Sequence, residues 1–152
     1  MTIRPPVPSD LSDIKRVLAD THLFPEELLA DMIEPFFSNP DCLDKWLVLE
    51  KDHAVIGFSY TRPETFTEGT WNLLAIGCRS NVQGKGYGSQ ILQAVEESLQ
   101  GERVLIIETS GTDDFHATRQ FYRSRGYHQE AVIRDYWAPD DDKVIFWKQM
   151  NL

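Results

Sequence analysis

The chain has 152 residues, 41% hydrophobic and 26% charged, enough to bury a core without disulfide or metal staples and suited to a single domain over residues 1–152. Its formal charge of −9 argues against nucleic-acid binding, which needs clustered Lys and Arg, and fits a basic or amine partner better. Two cysteines, Cys42 and Cys78, make neither a disulfide framework nor a zinc-ligand spacing; reduced core thiols and no metal are expected. MTIRPPVPSD carries no apolar signal-peptide region, and no uncharged apolar run approaches a membrane span, so a soluble cytoplasmic protein without membrane contact is expected.

In chain order, TIRPP reads as a short strand. Ser9 or Asp10 caps a helix with Leu11, Ile14, Val17 and Leu18 at helical spacing. A second helix over EELLADMIEPFF places Leu28, Leu29, Met32, Ile33 and Phe36 on one side, and Pro35 is expected to kink or end it. The β-rich runs 45–50 and 54–61, separated by KDH, predict an antiparallel hairpin. A third run, TWNLLAIGC at 70–78, feeds a glycine turn and a helix from about Gly88 to Leu99 that Gly101 stops. RVLIIET, continuously apolar, predicts a central strand covered on both faces. FHATRQFYRSRG predicts a fourth helix ending at Gly126, and YHQEAVIRDYW and KVIFWKQM predict two closing strands around the turn APDDD. The string amounts to about seven strands and four helices in a mixed α/β layer structure.

The turn NVQGKGYGS places glycines at 84, 86 and 88 just before a helix. Exposed N–H groups at the positive end of a helix dipole favour an anion, so a phosphate-bearing ligand is the first expectation. A P-loop would need Ser or Thr after Lys85, where Gly86 stands, and GxGxG is not the dinucleotide fingerprint GxGxxG. Gln83-x-x-Gly86-x-Gly88 between strand and helix instead resembles the [RQ]xxGx[GA] pyrophosphate loop of the GNAT superfamily of acyl-CoA-dependent N-acetyltransferases. Phe121-Tyr122-Arg123-Ser124-Arg125-Gly126-Tyr127 resembles the (F/L)YxxxG(F/Y) segment of the same superfamily. The likeness covers roughly residues 2–150 and is strongest over 71–127. It implies a GNAT-like fold: a central, mostly antiparallel mixed sheet flanked by helices.

The resemblance also implies chemistry: acetyl transfer from acetyl-CoA to a primary amine of a small molecule or protein, by direct attack. The backbone from about Val82 through Ser89, including Gln83, Gly84, Lys85, Gly86, Tyr87, Gly88 and Ser89, would hold the pyrophosphate. Glycines keep a Cβ from holding the backbone off the phosphate oxygens or blocking the turn's dihedrals. Ala75, Ile76, Gly77 and Cys78 would line the pantetheine arm, with the Ile76 backbone N–H on the thioester carbonyl. Tyr122 would face the CoA sulfur and protonate the departing thiolate.

Many members of the superfamily carry a glutamate base where this chain has Asn72, which cannot ionise. Glu108, at the end of RVLIIET, is the candidate base, or else a carboxylate satisfied by a neighbouring N–H or Arg. Asp114 and Phe115 stand near the position of a CoA-contacting asparagine. His116 reads as a surface or packing residue or a base, Asp135 as a contact for an amine, and Asp140, Asp141 and Asp142 as a solvated turn.

Trp71, Trp137, Phe24, Phe36 and Phe37 are read either as an aromatic-lined entrance or as core. Substrate choice is expected in the helix pair 9–39, the strand ends and residues 128–142. Three readings stand: the acetyltransferase; a non-catalytic acyl-CoA sensor or partner-binding module, which Asn72 favours and Tyr122 disfavours; and a purely structural domain. The superfamily also allows a homodimer.

Overall fold

A computed structural model describes residues 1–150, so the last two positions of the expected 1–152 domain lie outside the described residues. The strands are β1 (Thr2–Arg4), β2 (Lys45–Lys51), β3 (Ala54–Pro63), β4 (Thr70–Cys78), β5 (Val104–Ser110), β6 (His128–Ala138) and β7 (Asp141–Gln149). The helices are α1 (Leu11–Thr21), α2 (Leu29–Ser38), α3 (Tyr87–Ser98) and α4 (His116–Ser124). They alternate as the sequence predicts, and the strands form one seven-stranded sheet in the order β1-β2-β3-β4-β5-β7-β6. The β1–β2, β2–β3, β5–β7 and β6–β7 ladders are antiparallel, whereas β4 and β5 pair in parallel. Among the described residues no helix is long and apolar enough to cross a membrane.

Several boundaries move for identifiable reasons. β1 stops at Arg4 because Pro5 and Pro6 offer no ladder donors. Pro35 does not end α2: the helix runs on to Ser38, and the Asn39 N–H closes it on the Pro35 carbonyl at 2.9 Å. The closing hairpin is tighter than APDDD suggests. Asp141 and Asp142 already belong to β7, where the Asp141 carboxylate accepts from Ser110 Oγ and the Asp142 carbonyl accepts the Gly111 N–H at 2.9 Å. β5 is more one-sided than its apolar run predicts: Leu105, Ile107 and Thr109 are buried, while Val104, Ile106 and Glu108 are half-buried.

The chain divides into two compact units, residues 1–63 with 74–98, and residues 64–73 with 99 onward. In the first, α1 and α2 contribute Ile14, Val17, Leu18, Leu29 and Ile33 to a core shared with Trp46, Val48, Phe58 and Tyr60. Each such side chain stabilises the fold by about 1.5–3 kcal/mol through burial. Trp46 stacks on Tyr60 at 4.1 Å between ring centroids, and Phe24, Phe36 and Phe37 pack against this core. Three of the five aromatics considered for an entrance therefore serve packing. Gly57 lets α3 approach β3: a Cβ there would stand 2.8 Å from Ile91 Cδ1 and 2.9 Å from Cys78 Sγ.

In the second unit, Leu105, Ile107, Val144 and Phe146 are buried together with Tyr122 and Tyr127. Trp71 is buried as well, whereas Trp137 is half-exposed. The outermost strand, β6, is exposed along its whole length, and its register with β7 shifts at Gln129/Ala131 and again at Ile133/Ala138.

Candidate active site

In the first unit, β4 leads into a loop held by side chains on both of its ends. The Asp20 carboxylate on α1 accepts Arg79 Nε at 2.7 Å, the Ser80 N–H at 2.9 Å and Ser80 Oγ at 3.2 Å. These donors hold the Asp20 carboxyl below its ordinary pKa, Arg79 foremost. Gln83 Nε2 reaches back to the Cys78 carbonyl at 3.2 Å, so the residue that opens the glycine motif fastens the loop across its base.

Gly84 and Gly86 have φ of +79° and +88°, a region that L side chains rarely adopt. A Cβ at 84, 86 or 88 would meet nothing within 4 Å, so the backbone here faces open space. The glycine requirement at 84 and 86 is conformational. α3 begins at Tyr87, and the first bond that ties its N-terminal turn is Gln90 N–H to the Gly86 carbonyl at 3.2 Å. The N–H groups of Gly86, Tyr87 and Gly88 therefore lie outside the helical ladder, at the positive end of a 12-residue helix. Lys85 is exposed on this loop, and Lys51 Nζ lies 5.5 Å from the Tyr87 ring centroid.

Upstream, the parallel ladder between β4 and β5 covers only Thr70–Leu73 against Val104–Ile107. Residues from Leu74 to Cys78 present an edge that this ladder does not use. Ile76 and Gly77 on it are half-buried, and Ala75 and Cys78 are buried. Burial pushes the Cys78 thiol up to about 11, which keeps it protonated and unreactive at neutral pH.

The second unit brings together residues that are far apart in sequence. Asn72, 2% exposed, donates from Nδ2 to Glu64 Oε1 at 2.8 Å and to Glu108 Oε1 at 3.1 Å. Lys143 Nζ meets Glu108 Oε2 at 2.9 Å and lies 4.1 Å from the Tyr136 ring centroid. Burial works against the Lys143 ammonium, but Glu108 and then Tyr136 outweigh it, and its pKa stands above the ordinary value. Both Glu108 oxygens are thus engaged, by a lysine and an amide.

Tyr122, on α4, is 4% exposed and packs against Phe146 and Tyr127 at 5.6 and 6.0 Å between centroids. Burial raises its phenol pKa well above the ordinary value, so the hydroxyl keeps its proton at neutral pH. Arg119, one turn earlier, anchors α4 by donating to the carbonyls of Ser110 at 2.8 Å and Thr112 at 2.7 Å.

Asp114, Phe115 and His116 are exposed at the start of this helix. Asp135 has φ of +55°, receives the Asp140 N–H on its carboxylate at 3.0 Å and donates its own N–H to Asp142 at 3.0 Å. Its side chain organises the closing turn.

The profile described as "Acetyltransferase (GNAT) family" matches residues 11–127. The chain belongs to the GNAT acetyltransferase family. Among solved structures, a protein from Desulfovibrio desulfuricans assigned to the GNAT family is 27% identical, with a TM-score of 0.91 and 98% of each chain covered. A ribosomal-protein-alanine N-acetyltransferase from Brucella melitensis superposes at TM-score 0.80 with 18% identity, covering 98% of this chain and 99% of the other. An aminoglycoside 6'-N-acetyltransferase complexed with coenzyme A superposes at 0.81 with 17% identity, covering 100% and 98%. No curated protein matches the chain.

As a GNAT chain it should offer a seat for acetyl-CoA, and the loop's own geometry fits one. Two left-handed glycines, an uncovered backbone and a helix N-terminus suit a diphosphate. Sequence reasoning named the loop, Tyr122, Asn72 and Glu108, but it missed Glu64, Lys143 and the tie from Asp20. No motif marks these three. Lys143 becomes the diagonal neighbour of Glu108 only once the β5–β7 ladder sets Ser110 opposite it.

Proposed function

We propose that residues 1–152 act as one cytoplasmic N-acetyltransferase domain that moves an acetyl group from acetyl-CoA to a primary amine by direct attack. The observation that carries this reading is the loop after β4, with left-handed Gly84 and Gly86 opening the N-terminus of α3. Acetyl-CoA supplies the activated acetyl group.

In this reading, the backbone from Gln83 to Ser89 binds the diphosphate, and Lys85 adds charge without a fixed geometry. The edge of β4 from Ala75 to Cys78 receives the extended arm by backbone hydrogen bonds, with the Ile76 N–H as donor to the carbonyl that becomes negative during attack. Tyr122 protonates the leaving sulfur, because burial keeps its phenol protonated. Glu108 fixes Asn72 through a shared hydrogen bond; with Lys143 on its other oxygen, it leaves the proton-accepting role to another carboxylate. The raised Cys78 thiol gives no support to a covalent enzyme intermediate.

Tyr122→Phe should lower kcat by about 100-fold, the lower end of general-acid contributions, while the Kd for CoA measured by calorimetry stays within about twofold. Full activity in this variant would remove Tyr122 from the mechanism. A second reading, a non-catalytic acyl-CoA sensor or partner-binding module, is favoured by Asn72 alone, since an amide stands where many members of the superfamily have a glutamate. It predicts CoA binding with no thiol release over an amine panel.

A further inference from the structure

Asn72 sits between two carboxylates that differ in one respect. Glu108 is neutralised by Lys143 at 2.9 Å, whereas among the described residues no cation pairs with Glu64. Glu64 is half-buried, so one face of it reaches solvent. Its place is fixed from three sides: its N–H donates to the Thr70 carbonyl at 2.8 Å, its carbonyl accepts Thr67 Oγ1 at 2.9 Å, and its Oε1 accepts Asn72 Nδ2 at 2.8 Å.

The amide shows the same bias. Two carboxylate acceptors fix which end of Asn72 is the nitrogen, because an oxygen in that position would face two negative groups. Asn72 Oδ1 is therefore directed away from them, and it is buried with no hydrogen-bond donor among the described residues. A buried acceptor without its bond costs about 1–3 kcal/mol. Trp46 Nε1, Ser59 Oγ and Thr61 Oγ1 share this state, but of the four only Asn72 Oδ1 belongs to a side chain that also bonds two carboxylates.

We propose that Glu64 binds the ammonium group of the acceptor and takes its proton, with Asn72 as the positioning residue, so that the acceptor is a protonated primary amine. This rests on the acetyltransferase reading. One N–H bond of R–NH3+ breaks, an O–H bond forms on Glu64, and the neutral amine keeps the lone pair needed for attack. The proton then leaves through the solvent-facing side of Glu64. Glu108 and Lys143 are the charged groups facing Asn72, and as a pair they add no net charge, so the cluster keeps the single negative charge of Glu64 for the substrate.

The test is calorimetric titration of wild type, Glu64→Gln and Glu108→Gln with spermidine, kanamycin, lysinamide and alaninamide, each with and without saturating CoA. At least one amine should bind wild type, and Glu64→Gln should weaken it at least tenfold while its thermal melt and CoA affinity stay unchanged. Glu108→Gln should weaken the same amine less than Glu64→Gln does. Where turnover is measured, Glu64→Gln should lose about 100-fold in kcat/KM near neutral pH and recover as rising pH supplies free amine; a merely structural loss would not recover. Equal amine affinity in wild type and Glu64→Gln, or no binding of any of the four amines, overturns the proposal. Amine binding that depends on Glu64 in a protein that ignores CoA would sink the acetyltransferase reading and leave the ammonium site standing.

Discussion

The glycine loop before α3 and the polar cluster around Asn72 use opposite means. The loop presents backbone: left-handed Gly84 and Gly86, helix N–H groups, and side chains that hold the loop from behind. The cluster presents side chains from four segments, two carboxylates, one amide and one lysine, with distances of 2.8–3.1 Å. A backbone site tolerates changes of side chain but not of conformation. A charge cluster is the reverse, because each member depends on the charge of the next.

The sharpest way to break the comparison is at Lys143. Its ammonium and the Glu108 carboxylate are 11% and 17% exposed, so Lys143→Met strands a largely buried charge and should cost about 3 kcal/mol in urea unfolding. Adding Glu108→Gln should restore most of that loss, and an additive double variant would mean that the pair is not coupled. Next in size is the loop: Gly86→Val forces a branched residue to a φ of +88° and should cost about 2 kcal/mol of CoA binding, roughly 30-fold in Kd. Lys85→Ala on the same loop should change Kd by no more than about threefold.

An effect seen only in alkali sharpens the picture from the buried phenols. Burial pushes Tyr60 up to about 12 and raises Tyr122 further. Both folded values lie above the unfolded one, so their contribution is complete below about pH 10 and drains away above it, by up to about 1.4 kcal/mol per pH unit for each phenol. Urea midpoints measured across that range should fall, and Tyr122→Phe should flatten the fall.

What could be read in advance follows the same division. The loop was legible because its information is local: a glycine spacing, a glutamine three residues ahead of Gly86, and an amphipathic helix behind them. The helix faces at Ile14, Val17 and Leu18 and at Ile91, Leu92 and Val95 were legible for the same reason, and all six are buried. Glu64 was illegible because it lies in a loop of no period, and its hydrogen bond with Asn72 forms only once β4 brings Asn72 beside it. Lys143 was masked by the acidic run before it, which reads as a solvated turn until the hairpin register moves Asp141 and Asp142 into β7. Asn72 showed only as a missing glutamate; the Glu64 carboxylate that it bonds is eight residues away in sequence.

The irregular outer strand has a consequence for crowded solutions. β6 exposes Val132, Ile133, Tyr136 and Trp137, each at least 43% accessible, on the last position of the sheet, where a flat edge would template the addition of foreign chains. Two slips of register and the left-handed Asp135 break the even row of donors and acceptors such growth requires. The molecule can therefore display greasy aromatic surface at its margin without inviting fibrils.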